Sequence, residues 1–154
     1  MPRTLTQLLA ASLLVIAAVA QPLRAAEEAT TIPFPKGGGP VSVNISNGPM
    51  VIRSVVLKNR PSAREVRRAR RRDPDDTKTL RWVFYVSNAG RRDWRARIRV
   101  EVVAADGRLL ARDSRADEVD ARKWHDHISV WTKIRTTEYP AASVARVTVD
   151  FRPD

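Results

Sequence analysis

From residue 41 onward, apolar and polar residues alternate with a period of two along most of the chain. This pattern is typical of half-buried β-strands, because successive side chains of a strand point to opposite faces of the sheet. Val41, Val43 and Ile45 alternate with serine and asparagine and predict a short strand, which ends at a turn at Asn47. Residues 50–57 predict a second, more apolar strand.

The alternation continues through the rest of the chain. The apolar faces of four further predicted strands are Leu80, Trp82, Phe84 and Val86; Trp94, Ala96, Ile98, Val100 and Val102; Ile128, Val130 and Ile134; and Val147, Val149 and Phe151. Asp106-Gly107 predicts a tight hairpin, since glycine tolerates the positive φ of such turns, and Leu109 and Ala111 begin the return strand. The aromatic residues on these apolar faces, Trp82, Phe84, Trp94 and Phe151, are predicted to lie in the core.

About seven short strands, with turn signals between them and no long helix, predict one all-β domain. We expect an antiparallel β-sandwich of the Ig/fibronectin-like kind over residues 41–154, with a small barrel as the alternative. Residues 27–40 contain three prolines and the glycines 37–39, which exclude helix and supply no regular strand pattern. They are predicted to form an extended arm.

The N-terminus has the three parts of a secretory signal peptide. Arg3 is followed by the uncharged apolar stretch 8–20, which is shorter than the ~20 residues that a membrane-spanning helix needs. Cleavage is expected after Ala20 or near Ala25-Ala26. The sequence therefore predicts a signal peptide over residues 1–26 and a periplasmic or secreted domain, with an uncleaved membrane anchor as the alternative.

Charge and cysteine content narrow the classes of function. Among 154 residues there are 28 Lys and Arg against 17 Asp and Glu, a formal net charge of +11, which favours anionic partners. The chain has no cysteine, which excludes disulfides, thiolate metal sites and a cysteine nucleophile. We identify no nucleophile elbow, Gly-rich phosphate loop or zinc-protease motif, so neither catalysis nor a cofactor is expected.

One part of the chain resembles a known group of domains. The residues concerned are Trp82, Phe84, Tyr85, Val86, Asn88 and Gly90, then Val100 and Val102, and the hairpin at Asp106 to Leu110. This run resembles small exported bacterial Ig-like domains of the FxLYD type, in which a strand ends in Asn near a turn and a long hairpin follows. The resemblance covers about a third of the mature chain. It implies a periplasmic or cell-surface accessory module, and it assigns no catalytic residue.

The most distinctive feature is an arginine cluster in an insertion at about residues 59–78. Its members are Arg60, Arg64, Arg67, Arg68, Arg70, Arg71 and Arg72. Ser62 and Glu65 have the spacing of a helix capping box, which predicts a brief surface helix over residues 63–71. Such guanidinium groups bind phosphate, sulfate or carboxylate through paired donors. The alternative is a solvated segment whose arginines pair with Asp73, Asp75 and Asp76.

A second basic element is the strand that contains Arg95, Arg97 and Arg99, which face away from its apolar side. With Arg81 on a neighbouring strand, these residues would form a basic ladder beside the arginine cluster. The alternative is an ordinary solvent-facing strand surface, where charges block edge-to-edge pairing.

Two further groups of polar residues have little predictive value. His125 and His127 share a strand face, but two imidazoles without a further ligand make no metal site, and we expect none. An acidic group, expected in a loop after the hairpin, comprises Asp113, Asp117, Glu118 and Asp120. Nothing in the sequence fixes the separations that acid–base hydrolysis needs.

Two functions are favoured, and a hydrolase of an unrecognised type is a third alternative. The first is a non-catalytic interaction module of the cell envelope that binds a protein or an anionic envelope component, with the strand at Val41 to Ser46 available to a partner strand. The alternative is a polyanion-binding domain that uses the arginine cluster to contact lipopolysaccharide, acidic glycan or nucleic acid.

Overall fold

A computed structural model describes residues 27–154, which form eight β-strands and one α-helix. The predicted signal peptide, residues 1–26, lies outside the described residues. The strands are β1 Glu27–Pro33, β2 Val41–Asn47, β3 Met50–Lys58, β4 Thr77–Asn88, β5 Trp94–Ala104, β6 Leu109–Val119, β7 Lys123–Arg135 and β8 Ala142–Pro153. Helix α1, Ala63–Arg72, connects β3 to β4, and a single 3-10 turn, Tyr139–Ala141, precedes β8.

The strands form two four-stranded antiparallel sheets. The first sheet has the order β1-β8-β5-β6 and the second has the order β2-β3-β4-β7. Their apolar faces pack against each other, as the period-two pattern requires. The predicted all-β antiparallel sandwich is therefore confirmed.

The core lies between the two sheets and consists of the alternating apolar residues. Trp82, Phe84 and Phe151 are among its largest fully buried side chains, as predicted. Trp94 differs from the prediction, because it is only partly buried and packs at the edge of the core. It is the first residue of β5, at the end of the strand.

The predicted extended arm proves to contain a strand. Glu27–Pro33 is β1, which pairs antiparallel with β8, while the Pro- and Gly-rich residues 34–40 form the connection to β2. The pattern was missed because β1 is an edge strand in which only Ile32 is buried. Its place in the sheet comes from backbone pairing with β8, which leaves no alternation in the sequence.

The acidic residues 113, 117 and 118 lie in β6, which corrects the expected loop. This strand is the other edge of the first sheet, and seven consecutive residues of it are exposed. Charged side chains on both faces of an edge strand prevent pairing with a second molecule. Because these residues interrupt the alternation after Ala111, the sequence predicted only the start of this strand.

Candidate anion-binding site

Helix α1 lies at the end of the sandwich where β3 ends and β4 begins. Its start is fixed by a complete capping box: Glu65 N donates to Ser62 Oγ at 3.2 Å, and Ser62 N donates to Glu65 Oε2 at 2.7 Å. At its other end the Asp73 N–H donates to the Ala69 carbonyl. The predicted helix is confirmed and continues one residue further, to Arg72.

The helix buries little of its surface. Only Val66 and Ala69 are buried, and the rest of α1 is exposed. This matches the thin apolar stripe of the sequence. An exposed arginine helix on a stable sandwich can present charge without disturbing the core.

The arginines of α1 are all exposed: Arg64, Arg67, Arg68, Arg70, Arg71 and Arg72. Arg64, Arg68 and Arg71 follow the i, i+4, i+7 spacing that aligns side chains along one face of a helix. With Arg67 and Arg72 they surround an open cleft of about 450 Å³, in which Glu65 is the one acidic side chain. We call all six arginines of α1, including Arg70, the arginine face.

The acidic residues that follow α1 are engaged elsewhere. Asp75 forms an ion pair of 3.6 Å with Arg135, and Asp76 Oδ2 accepts a 2.8 Å hydrogen bond from Thr136 Oγ1. Asp73 Oδ1 accepts from the backbone N–H of Asp75 at 3.2 Å. Within residues 27–154, no arginine of the arginine face forms an ion pair within 4.0 Å. The three aspartates therefore form no ion pair with the arginine face in the described residues.

The carboxylate of Glu65 likewise pairs with groups other than the arginines of α1. Its Oε1 accepts from Lys78 Nζ at 2.7 Å, while its Oε2 completes the capping box. The hydrogen bond from Lys78, followed by those from Ser62, lowers the pKa of Glu65 to about 2. The carboxylate thus holds the helix terminus in place and does not neutralise the arginine face.

On its other side α1 borders a shallow cavity of about 740 Å³. Apolar atoms of Pro61, Ala63, Val66, Tyr139 and Pro140 line it together with basic side chains. The basic residues are Lys36, Arg60, Arg67 and Arg70. Burial raises the pKa of Tyr139, although the nearby Arg60 acts in the opposite direction.

Arg60 is the one arginine of the cluster that is fixed by the fold. Its guanidinium donates to the backbone carbonyl of Lys36, and Lys36 Nζ donates to the Pro140 carbonyl at 2.9 Å. The guanidinium lies against Gly38, which has a positive φ of 81° and where a side chain would collide with it. These contacts connect residues 34–40 to the 3-10 turn.

The second predicted basic element lies elsewhere. Arg95, Arg97 and Arg99 are exposed and face away from the core, as the sequence indicates. They belong to the first half of β5, which starts at the opposite end of the sandwich from α1. Their neighbours include acids, since Arg95 pairs with Glu118 and Arg97 with Asp150 in the sheet register.

Arg81 does not extend this ladder. It lies on β4 in the second sheet, so the expected proximity to Arg95, Arg97 and Arg99 is wrong. Its guanidinium lies over the ring of Trp131 at 5.9 Å from the centroid, and its Nε donates to Ser129. The structure therefore brings together the arginines of α1 and separates them from those of the strands.

The two histidines are exposed on β7 beside Asp126, whose Oδ1 accepts from the backbone N–H of His127 at 2.8 Å. No cluster of three or more His, Asp or Glu residues suited to a metal ion occurs in the described part of the chain. Across residues 27–154, no helix is both long enough and apolar enough to cross a membrane.

Comparison with known proteins identifies no family for this chain. No protein-family model matches it, and no curated protein does. Among solved structures, an arabinose-bound α-L-arabinofuranosidase aligns at 13% identity with a TM-score of 0.14. The alignment covers 79% of this chain and 24% of the enzyme. A similarity of this size has no bearing on fold or function.

Proposed function

We propose that this protein is a non-catalytic interaction module of the cell envelope that binds polyanions through α1. One observation supports the proposal above the others. Six exposed arginines lie on a ten-residue helix, and within residues 27–154 none of them has an ion-pair partner, although three aspartates follow directly. Unpaired guanidinium groups at this density attract anions before contact and bind them on contact.

The chemistry of the arginine face fits a polymer better than a single small anion. Each guanidinium offers paired N–H donors to a phosphate, sulfate or carboxylate group. The cleft is open and its arginines are spaced along a helix, so successive anionic groups of one chain would be bound side by side. Outside a bacterial inner membrane such polymers are lipopolysaccharide, acidic surface glycans and released nucleic acid.

The predicted signal peptide is the basis for placing the module in the periplasm or outside the cell. Export would bring α1 to these polymers. The domain needs no disulfide to fold outside the cytoplasm, because its roughly 130 mature residues are enough to form a single hydrophobic core.

Binding of a partner strand by β2 is less well supported. β2 is an edge strand, as that mode of binding requires. However, its register with β3 is interrupted between Ser42 and Ile45, and Asn44 has a positive φ of 52°. A bulge of this kind twists an edge away from regular pairing.

The test is retention of the mature domain on immobilised heparin and on immobilised lipopolysaccharide in a rising salt gradient. Two variants of equal net charge are compared. One replaces Arg64, Arg68 and Arg71 of α1 by Ser, and the other replaces Arg95, Arg97 and Arg99 of β5 by Ser. We expect the helix variant to elute much earlier than wild type and the strand variant to elute close to it.

The matched charges make the outcomes distinct. Equal loss of retention in both variants would mean that net charge alone causes binding, and it would contradict a site on α1. Early elution of the wild type from both matrices would contradict polyanion binding altogether.

A further inference from the structure

The outer face of the second sheet contains a small cavity at a distance from the arginine face. It has a volume of about 220 Å³ and lies where β3, β4 and β7 run side by side. The residues that line it include Arg53, Tyr85, Trp124, His125, Asp126 and His127. Trp124 is 60% exposed and Tyr85 is 45% exposed, which places both among the large apolar side chains most open to solvent in residues 27–154.

Two β-bulges meet at this cavity. In the β3–β4 pair, Ile52 faces Val86 and Ser54 faces Tyr85, so that Arg53 is an extra residue. In the β4–β7 pair, Val86 faces Asp126 and Asn88 faces Lys123. The single residue between them on β4, Ser87, therefore faces both Trp124 and His125.

The bulges explain why these side chains share one face. In a regular strand Trp124 and His125 would point to opposite faces of the sheet, whereas two residues opposite one in a bulge depart from that alternation. Both line the cavity, together with Arg53 from the other bulge. Bulges on both neighbours of the same segment of β4 are features that re-aim side chains, and they are frequent next to binding sites.

The arrangement suits a sugar ring. A pyranose has C–H groups on its faces and hydroxyl groups around its rim. Its faces stack on aromatic rings, whose π-clouds are negative. Tyr85 and Trp124 supply such rings, while Arg53 and the two imidazoles supply donors and acceptors for hydroxyl groups.

Size and charge favour a sugar over the alternatives. The volume is below the ~300–1,000 Å³ of pockets for drug-sized ligands, and it suits one ring of a chain that continues across the open sheet. The lining of this cavity includes one basic and one acidic residue, Arg53 and Asp126, whereas five arginines accompany one glutamate in the cleft of α1. An apolar protein anchor would leave these polar groups unpaired, at a cost in binding.

We propose that the cavity between Tyr85 and Trp124 is a carbohydrate-binding site that holds one pyranose unit of a glycan. The site acts by stacking and hydrogen bonding, so it does not depend on the arginine face. It would allow the domain to bind a glycan chain at salt concentrations that abolish the contacts of α1.

The test is affinity electrophoresis of the mature domain in native gels that contain one soluble polysaccharide each, run toward the cathode because the domain is basic. The probes are hydroxyethyl cellulose, xylan, mannan, dextran and glycol chitosan, none of which is a polyanion that α1 would bind. Each interaction is then measured by titration in high salt, which screens the arginine face. The variants are Trp124→Ala and Tyr85→Ala. The control is Leu109→Ala, which removes a side chain of similar exposure, 47%, from β6.

We expect retardation by at least one polysaccharide, a loss of affinity of ten-fold or more in Trp124→Ala and Tyr85→Ala, and no change in Leu109→Ala. Unfolding midpoints should stay close to that of wild type, because both rings are exposed. Absence of retardation in all five gels would overturn the proposal, as would unchanged affinity in both aromatic variants. A change of oligomeric state in Trp124→Ala without any sugar binding would identify the face as a contact between copies of the chain. None of these results bears on retention by heparin. This proposal and the proposal for α1 can therefore fail separately.

Discussion

Trp82 Nε1 donates a hydrogen bond of 2.9 Å to Thr132 Oγ1 in the centre of the sandwich, where both side chains are fully buried. The bond joins β4 to β7 across the second sheet. A buried indole N–H needs an acceptor, and Thr132 supplies it for Trp82, the largest side chain of the core.

Thr132→Val should therefore destabilise the domain although it keeps the shape of the side chain. The expected loss is about 1–3 kcal/mol, since the indole N–H is left without an acceptor. Trp82→Ala should cost more, ~3–5 kcal/mol, because it leaves a large cavity. Urea unfolding measures both values. In the background Trp82→Phe, Thr132→Val should cost much less, and an unchanged penalty there would show that the hydrogen bond is not the cause.

Asn88 holds together the loops at the end of the sandwich opposite α1. Its Nδ2 lies 2.8–3.1 Å from the carbonyl oxygens of Arg92, Val119 and Asp120, which share its two hydrogens, and its Oδ1 accepts from the Gly90 N–H at 2.9 Å. Asn88→Asp should destabilise the domain strongly at pH 7, because a carboxylate cannot donate to any of these carbonyls.

The same variant should depend on pH. Burial against carbonyls would raise the folded-state pKa of Asp at position 88 above its unfolded value, so stability should fall as pH rises through and above the unfolded pKa. Urea unfolding at pH 4 and pH 7 tests this, with the exposed Asn59→Asp as a control of equal charge. Equal destabilisation by the two variants would contradict the role of Asn88.

Glu65 should make α1 sensitive to acid. Its pKa is lowered from 4.5 to about 2, first by the hydrogen bond from Lys78 and then by those from Ser62. A lowered folded-state pKa stabilises the fold above the unfolded pKa, and this contribution is lost as pH falls from about 4.5 toward 2. NMR titration of the Glu65 carboxyl carbon measures the pKa directly. Lys78→Met should raise it, and a wild-type value near 4.5 would contradict the capping geometry.

The arginines of α1 should matter little for stability. Replacement of Arg67, Arg68, Arg70, Arg71 and Arg72 by Ser should change the thermal midpoint by less than about 3 °C, because these side chains are exposed and bury no apolar surface. Differential scanning calorimetry measures the midpoint. A decrease of several degrees more would mean that α1 is part of the folding core.

The sequence predicts those strands in which alternate side chains are buried. The strands β3, β4, β5, β7 and β8 show the period of two because alternate residues are buried between the sheets. The capping box at Ser62 and Glu65 could be predicted because it depends on the local spacing of the two residues alone. Of the edge strands, β1 was not recognised and β6 was recognised only at its start, Leu109 and Ala111, because most residues of these two strands are exposed.

The candidate sites show the same division. The arginine face could be proposed from sequence because its residues are adjacent in the chain. The distance of Arg81 from Arg95 could not, because it depends on which sheet each strand joins. The cavity at Trp124 depends on two bulges, and no residue pattern in β3 or β7 reveals that both interrupt the register beside the same segment of β4.

The most direct test of polyanion binding by α1 is the affinity for a heparin oligosaccharide between about 50 mM and 200 mM salt. Measurements on wild type, on the helix variant with Arg64, Arg68 and Arg71 replaced, and on the charge-matched β5 variant give three slopes of log K against log salt. We predict a steep slope for wild type, a slope shallower by roughly two to three units for the helix variant, and a nearly unchanged slope for the β5 variant. The same slope in all three proteins would contradict a site on α1.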